Sequence, residues 1–296
     1  MTINFRNYIN ETRFGADYDK VRDFIVRVNR DHLINPNFTW ERWVWMISRA
    51  TELEHDRTRI GIWEKDSIMV GLATFEDDLS RFYAVVDSEY PEVYAELVAY
   101  VASQRKSDKP VFLNIFDQDL AFQEAARRYG FCPTPEREYV AKQSLRNRLS
   151  FDIDPQFHLL SMDEEWDYRE YNRVMWLGFN HDGEPDQSEE MLAFRKTMLS
   201  SPHLNKDLTV VVSSDDGHYQ SHAGIWYQEG DDYANIEPVA TIPEARRKGL
   251  AKACIYYALN RARAKGAKYA LIGSEQPFYY RIGFNPCYSF SWWRLD

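Results

Sequence analysis

Only three cysteines occur in 296 residues, and Cys132, Cys254 and Cys287 show no CxxC or other zinc-ligand spacing. A disulfide framework and a structural zinc site are thereby excluded, and reduced thiols are expected. Long apolar runs are missing too. No stretch approaches the ~20 residues that cross a bilayer, and the opening MTINFRNYINETRF has no apolar segment of the kind that marks a secretory signal. The expectation is a soluble, cytoplasmic protein with no membrane partner. Glycine and proline number 13 and 12, too few for a collagen-like or low-complexity chain, and a hydrophobic content of 44% argues against disorder. Positive charge is in deficit, with 36 Lys and Arg against 46 Asp and Glu. A net charge of -10 opposes a phosphate backbone, so nucleic acid is not expected as a partner.

What is present repeats. At an offset of 153 residues, Arg128-Tyr-Gly130-Phe131-Cys-Pro133 falls on Arg281-Ile-Gly283-Phe284-Asn-Pro286, with four identities in six positions. The same offset lays Val70-Gly71-Leu72 on Ala223-Gly224-Ile225, Tyr18 on Tyr171, Glu76 on Glu229 and Val86 on Val239. One constant shift across separated segments indicates a tandem duplication, with domains at residues 1–146 and 150–296. Apolar periodicity predicts the same order of elements in each copy. In the first, helices fall at 17–29, 40–50, 91–103 and 120–129, and strands at 59–63, 67–75, 81–86 and 111–116, with a further strand closing the copy. In the second, helices fall at 166–178, 188–199, 248–265 and 277–282, and strands at 208–213, 222–227, 234–241 and 268–273. Helices interleaved with strands imply an α/β fold with a mixed sheet covered on both faces.

One segment runs against the acidic balance. From Ile242 to Lys268 there are eight basic residues and a single acid, Glu244. Within it a predicted strand turns through Arg246-Arg247-Lys248-Gly249-Leu250-Ala251 straight into an amphipathic helix. A strand that enters a helix in this way presents unpaired backbone N–H groups and the positive end of the helix dipole, and the small Gly249 and Ala251 let a pyrophosphate lie against the backbone. Arg246, Arg247 and Lys248 supply charge. No GxxxxGK[ST] or GxGxxG occurs, so neither a Walker loop nor a dinucleotide fingerprint is present.

The pattern [R/Q]-x-x-G-x-[G/A] after a strand, met here by Arg246, Gly249 and Ala251, resembles the signature of the GNAT family of N-acetyltransferases. A second mark agrees: Tyr279 stands four residues before Gly283-Phe284 in Phe278-Tyr-Tyr-Arg-Ile-Gly-Phe284. The resemblance implies two tandem GNAT domains, each a mixed, mostly antiparallel sheet flanked by helices. It also implies an acetyl-CoA co-substrate, no metal, and direct transfer of acetyl to a primary amine of a small molecule. Under it, the backbone of Val239, Ala240 and Thr241 polarises the thioester carbonyl, Arg246 through Ala251, Leu250 included, binds phosphate, and Phe278 packs along the pantetheine arm. Tyr279 is the acid for the leaving thiolate, and Glu237, two residues before Val239 on the same strand face, is the base. The first copy reads Val86-Asp-Ser-Glu-Tyr-Pro-Glu-Val-Tyr-Ala-Glu-Leu97 where the loop belongs, and carries Ala126 where the second has Tyr279. One cofactor site, in the second domain, follows.

The loop at 179–190 holds five acids, Asp182, Glu184, Asp186, Glu189 and Glu190, which either steer a cationic amine or simply begin a helix at Ser188. His218 and His222 have HxxxH spacing but flank a turn and strand, which excludes a metal pair. Cys254 is expected in the core, and Phe290 to Trp293 in a final strand that lines a pocket wall or packs. Two other readings stay open: a non-catalytic acyl-CoA sensor or scaffold, and a tandem acetyltransferase resembling mycothiol synthase. The acceptor, and assembly as monomer or homodimer, are not specified by the sequence.

Overall fold

A computed structural model describes residues 2–10, 12–30, 33, 36, 38–49, 54–106 and 109–296. The chain forms two compact units, Met1–Val140 with Cys287–Asp296, and Ala141–Pro286. In chain order the first copy contributes β1 (Asn4–Asn7), α1 (Ala16–Asn29), α2 (Trp40–Arg49), β2 (Gly61–Lys65), β3 (Ile68–Phe75), β4 (Arg81–Val86), α3 (Val93–Ser103), β5 (Val111–Phe116), α4 (Leu120–Tyr129) and β6 (Cys132–Ser144). The second contributes β7 (Phe157–Ser161), α5 (Tyr168–Gly178), α6 (Glu189–Met198), β8 (Thr209–Ser214), β9 (Tyr219–Tyr227), β10 (Tyr233–Thr241), α7 (Leu250–Ala264), β11 (Tyr269–Ile272), α8 (Pro277–Arg281) and β12 (Asn285–Leu295). Predicted spans and elements coincide closely. Ala50, the expected end of the second helix, lies outside the described residues. Unforeseen were β1 and β7, which are short; β1 is a polar edge strand whose Phe5 is 44% exposed, so it carries no apolar alternation to read.

Each unit has the same sheet. In the first, β1, β2, β3 and β4 are antiparallel neighbours, β4 runs parallel to β5, and β5 pairs antiparallel with β12. In the second, β7, β8, β9 and β10 are antiparallel neighbours, β10 runs parallel to β11, and β11 pairs antiparallel with residues 141–144 at the end of β6. These are mixed, mostly antiparallel sheets, as the resemblance implied. The closing strands, however, are exchanged. β6 leaves the first unit at Val140 to complete the second, and β12, which follows the second copy in sequence, completes the first. The aromatic run Phe290 to Trp293 therefore packs in the first unit's core and is no wall of the second domain's pocket. Phe290, Trp292 and Trp293 are all buried there, with Trp292 Nε1 donating to Glu138 at 2.9 Å.

Local chemistry explains the elements around the second sheet. Asp167 caps α5 by accepting from the amides of Arg169 and Glu170, and Ser188 caps α6 by accepting from Met191 N–H. Glu189 and Glu190 then stand in the first turn of α6, where the dipole favours carboxylates. Leu250, Ala253, Cys254, Ile255, Ala258, Leu259 and Ala262 bury one face of α7, with Cys254 in the core as expected. β9 is covered on both faces: the Cys254 thiol of α7 donates to the Ser221 backbone carbonyl, whereas the ring of the next residue, His222, meets Tyr171 of α5. α5 and α7 thus cover opposite faces.

Candidate active site

β10 is where the second sheet departs from regularity. Its pairing with β9 jumps from Ile236 opposite Ile225 to Val239 opposite Ala223, so Glu237 and Pro238 together face Gly224. This is a β-bulge. A Cβ on Gly224 would sit 2.5 Å from the Glu237 carbonyl oxygen, so only glycine admits the approach. The Trp226 indole N–H donates to the same oxygen at 2.7 Å and fixes the bulge. The bulge also breaks the two-residue alternation by which Glu237 and Val239 were expected to share a face.

Beyond the bulge β10 has an open edge. Its parallel pairing with β11 covers only Tyr233, Ala234 and Asn235. Ile242 N–H donates to Gln220 O of β9, so by alternation Ala240 also turns its amide to β9, while Val239 and Thr241 turn theirs away. Thr241 O confirms the direction, accepting from Arg246 Nε at 3.1 Å on that outer side. Two backbone donors therefore face the gap between β10 and β11.

The loop that follows is shaped by two left-handed residues. Pro243–Ala245 makes a single 3-10 turn, Arg247 has φ 62°, and Gly249, the N-cap of α7, has φ 81°. Alternating hands of this kind fold successive N–H groups into a concave nest for an anion. The first bond of α7 runs from Ala253 N–H to Gly249 O, so the amides of Leu250, Ala251 and Lys252 precede it and point out of the helix end. A Cβ on Gly249 would meet no protein atom within 4 Å: it would project into free space in front of those amides. Arg246 plays a different part from its neighbours. Its guanidinium clamps the loop, donating to Thr241 O, to Gly178 O at 3.1 Å and to Asn180 Oδ1 at 2.6 Å.

Tyr279 completes the site from α8. It is 6% exposed, packed edge-on against Phe278 and Phe284, and its hydroxyl has no hydrogen-bond partner among the described residues. Burial, and secondarily the Glu237 carboxylate, push that hydroxyl up to about 12. Gln143, on the strand received from the first copy, donates through Nε2 to Ile282 O at 3.1 Å and so ties down the end of α8.

These parts enclose a cleft of about 690 Å³. It is lined by Val239, Thr241, Arg246, Arg247, Gly249, Leu250, Ala251, Phe278 and Tyr279 among the residues expected from sequence, and by Lys252, Asn180 and Arg281 besides. Ala240, Lys248 and Glu237 do not line it, although Glu237 lies close enough to bear on Tyr279. The basic segment divides. Arg246, Arg247 and Lys252 reach the cleft, while Arg263, Lys265 and Lys268 are engaged at the far end of α7 with Leu145 O, Asp207 and Asp232. Sequence reasoning missed Gly224, Trp226, Asn180 and Gln143, because each acts through a partner distant in the chain.

The first unit builds nothing comparable at the matching place. β3 and β4 pair without a register break from Gly71 opposite Val86 to Phe75 opposite Phe82. Before α3, Asp87 accepts from Glu89 N–H at 3.1 Å and from Arg27 at 2.7 Å, which puts carboxylates at the helix entrance. Ala126, the counterpart of Tyr279, is buried in α4.

Residues 158–284 match the model of the acetyltransferase (GNAT) family. Solved structures with the same overall fold include a tandem GNAT protein from the clavulanic acid biosynthesis pathway (TM-score 0.61, 11% identity, 99% of this chain and 98% of that one). A GCN5-related N-acetyltransferase from Sphaerobacter thermophilus gives TM-score 0.57 at 13% identity over 99% and 95% of the two chains. An acetyltransferase from the GNAT family of Colwellia psychrerythraea gives 0.56 at 11% identity over 100% of both. The chain thus folds as two tandem GNAT domains. Comparison with curated proteins finds no significant match.

Proposed function

We propose that this protein is an acetyl-CoA-dependent N-acetyltransferase that moves acetyl directly from the thioester to a primary amine of a small molecule. The reaction is assigned to the domain at 150–296, with the domain at 1–146 a copy that has lost the cofactor site. The observation that carries this reading is the convergence, in one cleft, of the α7 N-terminus behind Gly249, the open edge of β10 and the Tyr279 hydroxyl.

Acetyl-CoA supplies the activated acetyl group and a thiolate leaving group. The amides of Leu250, Ala251 and Lys252, backed by the Arg247 and Lys252 side chains, hold its pyrophosphate at the helix end. Phe278 packs beside the pantetheine arm. The outward N–H groups of Val239 and Thr241 are placed to donate to the thioester carbonyl as negative charge develops there, an interaction worth about 10²-fold or more in rate per donor. Glu237 takes the proton from the incoming ammonium. Tyr279, held protonated through the whole physiological range, donates its proton to the departing sulfur and regains one from the acylated nitrogen as that becomes the neutral amide, while Glu237 returns its proton to solvent.

Release of CoA, followed with a thiol reagent across a panel of small amines, tests the reading. Turnover is expected with the wild type, and Gly249→Asp, which puts a carboxylate where the pyrophosphate lies, is expected to weaken acetyl-CoA binding at least about 100-fold. Turnover unchanged in Gly249→Asp would remove the assigned site. Tight acetyl-CoA binding without turnover of any amine, and with Tyr279→Phe silent, would instead make the protein an acyl-CoA sensor.

A further inference from the structure

On the α5 face of the second sheet, opposite α7, polar side chains are buried without the partners they need. Arg195 of α6 is 9% exposed; its Nε donates to Asn172 Oδ1 at 2.8 Å and its Nη1 to the Met198 thioether, a weak acceptor, at 3.5 Å. No carboxylate pairs with it among the described residues, and the Tyr171 hydroxyl is its electrostatic neighbour. Nη2 has no acceptor, and it is not among the atoms sealed from solvent. Two more donors stand beside it: Tyr171 Oη and Trp166 Nε1 are both buried and unpartnered. Their rings are 5.3 Å apart, and each meets His222, at 5.1 and 6.0 Å. His222 spends Nδ1 on Val210 O at 3.0 Å, and its Nε2, a single acceptor, is itself buried and unpartnered, so it can serve at most one of the two donors. The guanidinium thus lacks a carboxylate and a partner for Nη2, and at least one further N–H or O–H lacks an acceptor, in a place where an unpaired charge is costly.

The cluster sits on elements that reach the proposed reaction centre, though its own side chains do not line the cleft. α5, which carries Tyr171 and Asn172, ends at Gly178 against Ala240 and Thr241, and His222 pairs across the sheet with Ala240. We propose that this face binds the carboxylate of the acceptor, so that the substrate is an amino acid whose carboxylate lies end-on against Nη1 and Nη2 of Arg195, displacing the thioether contact, while its amine reaches the open edge of β10. A carboxylate matches the guanidinium fork and brings the acceptors that the cluster lacks. Tyr171 is matched in the first unit by Tyr18, but the position 153 residues before Arg195 is Arg42, which is already held by Glu76 at 2.7 Å. The recognition is therefore particular to the second domain. It rests on the acetyltransferase reading above.

The test measures kcat/KM for matched pairs at saturating acetyl-CoA: β-alanine against ethylamine, 4-aminobutyrate against propylamine, and 6-aminohexanoate against pentylamine, with 2-aminoethyl phosphate as a further arm. At least one amino acid is expected to exceed its decarboxylated partner 10-fold or more, with the gain in KM. In Arg195→Lys and in the near-isosteric Tyr171→Phe that ratio is expected to fall toward one, whereas a purely structural role would shift the melting temperature and leave the ratio standing. Ratios of one in every pair, ratios unmoved in both variants, or a preference for the phosphate would overturn the proposal. Should acetyl-CoA bind and no amine turn over, the acetyltransferase reading fails by itself. Calorimetric binding of 4-aminobutyrate against propylamine then decides the carboxylate site, and equal or absent binding overturns it.

Discussion

Tyr279 and His222 are both buried, and burial drives their proton affinities in opposite directions. For Tyr279 the neutral form is favoured, up to about 12. Tyr279→Phe is accordingly expected to lower kcat about 100-fold with little change in the KM for acetyl-CoA, as steady-state kinetics would show. For His222 the proton is resisted: burial lowers its pKa from 6.5 to about 4. The unfolded chain takes up that proton near pH 6.5 and the folded one only near pH 4. His222 therefore leaves stability untouched above pH 6.5 and erodes it as pH falls toward 4, by about 2–3 kcal/mol at pH 4.5. Urea unfolding at pH 7 and 4.5 should show His222→Gln losing less stability than wild type by roughly that amount. At this scale the sequence was informative wherever function depends on close spacing, as for Arg246, Gly249 and Tyr279. It was silent on Gln143 and Trp226, whose partners, Ile282 and Glu237, are set by strand and helix packing. Spacing also located Arg246 without showing that its guanidinium would be taken up as a clamp.

Among the elements, β10 differs most from its counterpart. β4 runs straight, whereas β10 bulges at Glu237 and Pro238, and proline's missing N–H was the only local sign of it. The bulge depends on Gly224, which faces it directly on the neighbouring strand β9. Gly224→Ala is expected to force β9 and β10 apart, to destabilise the fold by about 1–3 kcal/mol in chemical unfolding, and to lower acetyl transfer more than 10-fold by misplacing Val239 and Thr241. A variant with wild-type stability and activity would show that the close approach is not required. Strand and helix spans were otherwise legible because apolar periodicity is a local property. The start of α7 shows where that legibility stops: charge and spacing predicted a helix from Lys248, but two left-handed residues delay it to Leu250.

In the whole molecule the duplication was legible and the exchange of closing strands was not. A constant offset reveals equivalent elements, yet two copies with the same strand pattern offer β6 and β12 equally to either sheet, and chain alternation cannot choose between them. Domain limits drawn at 146 and 150 thus cut between the copies, while the compact units divide at 140 and 286. A fragment of residues 139–286 is expected to be folded and to bind acetyl-CoA. A fragment of 150–296 leaves β11 without its antiparallel neighbour and is expected to aggregate, as size-exclusion chromatography would report. Truncation at Pro286 removes Phe290, Trp292 and Trp293 from the first core, each a loss of about 3–5 kcal/mol, so the first unit should melt early while acetyl-CoA still protects the second.

The exchanged strands also set an order of events during synthesis. Every residue of the second unit emerges from the ribosome before β12 does, so the N-terminal unit, begun first, is finished last. Until then β5 waits as a bare sheet edge beside an open apolar core, and that interval is when a chaperone, or another nascent copy offering its own β12, has access to it.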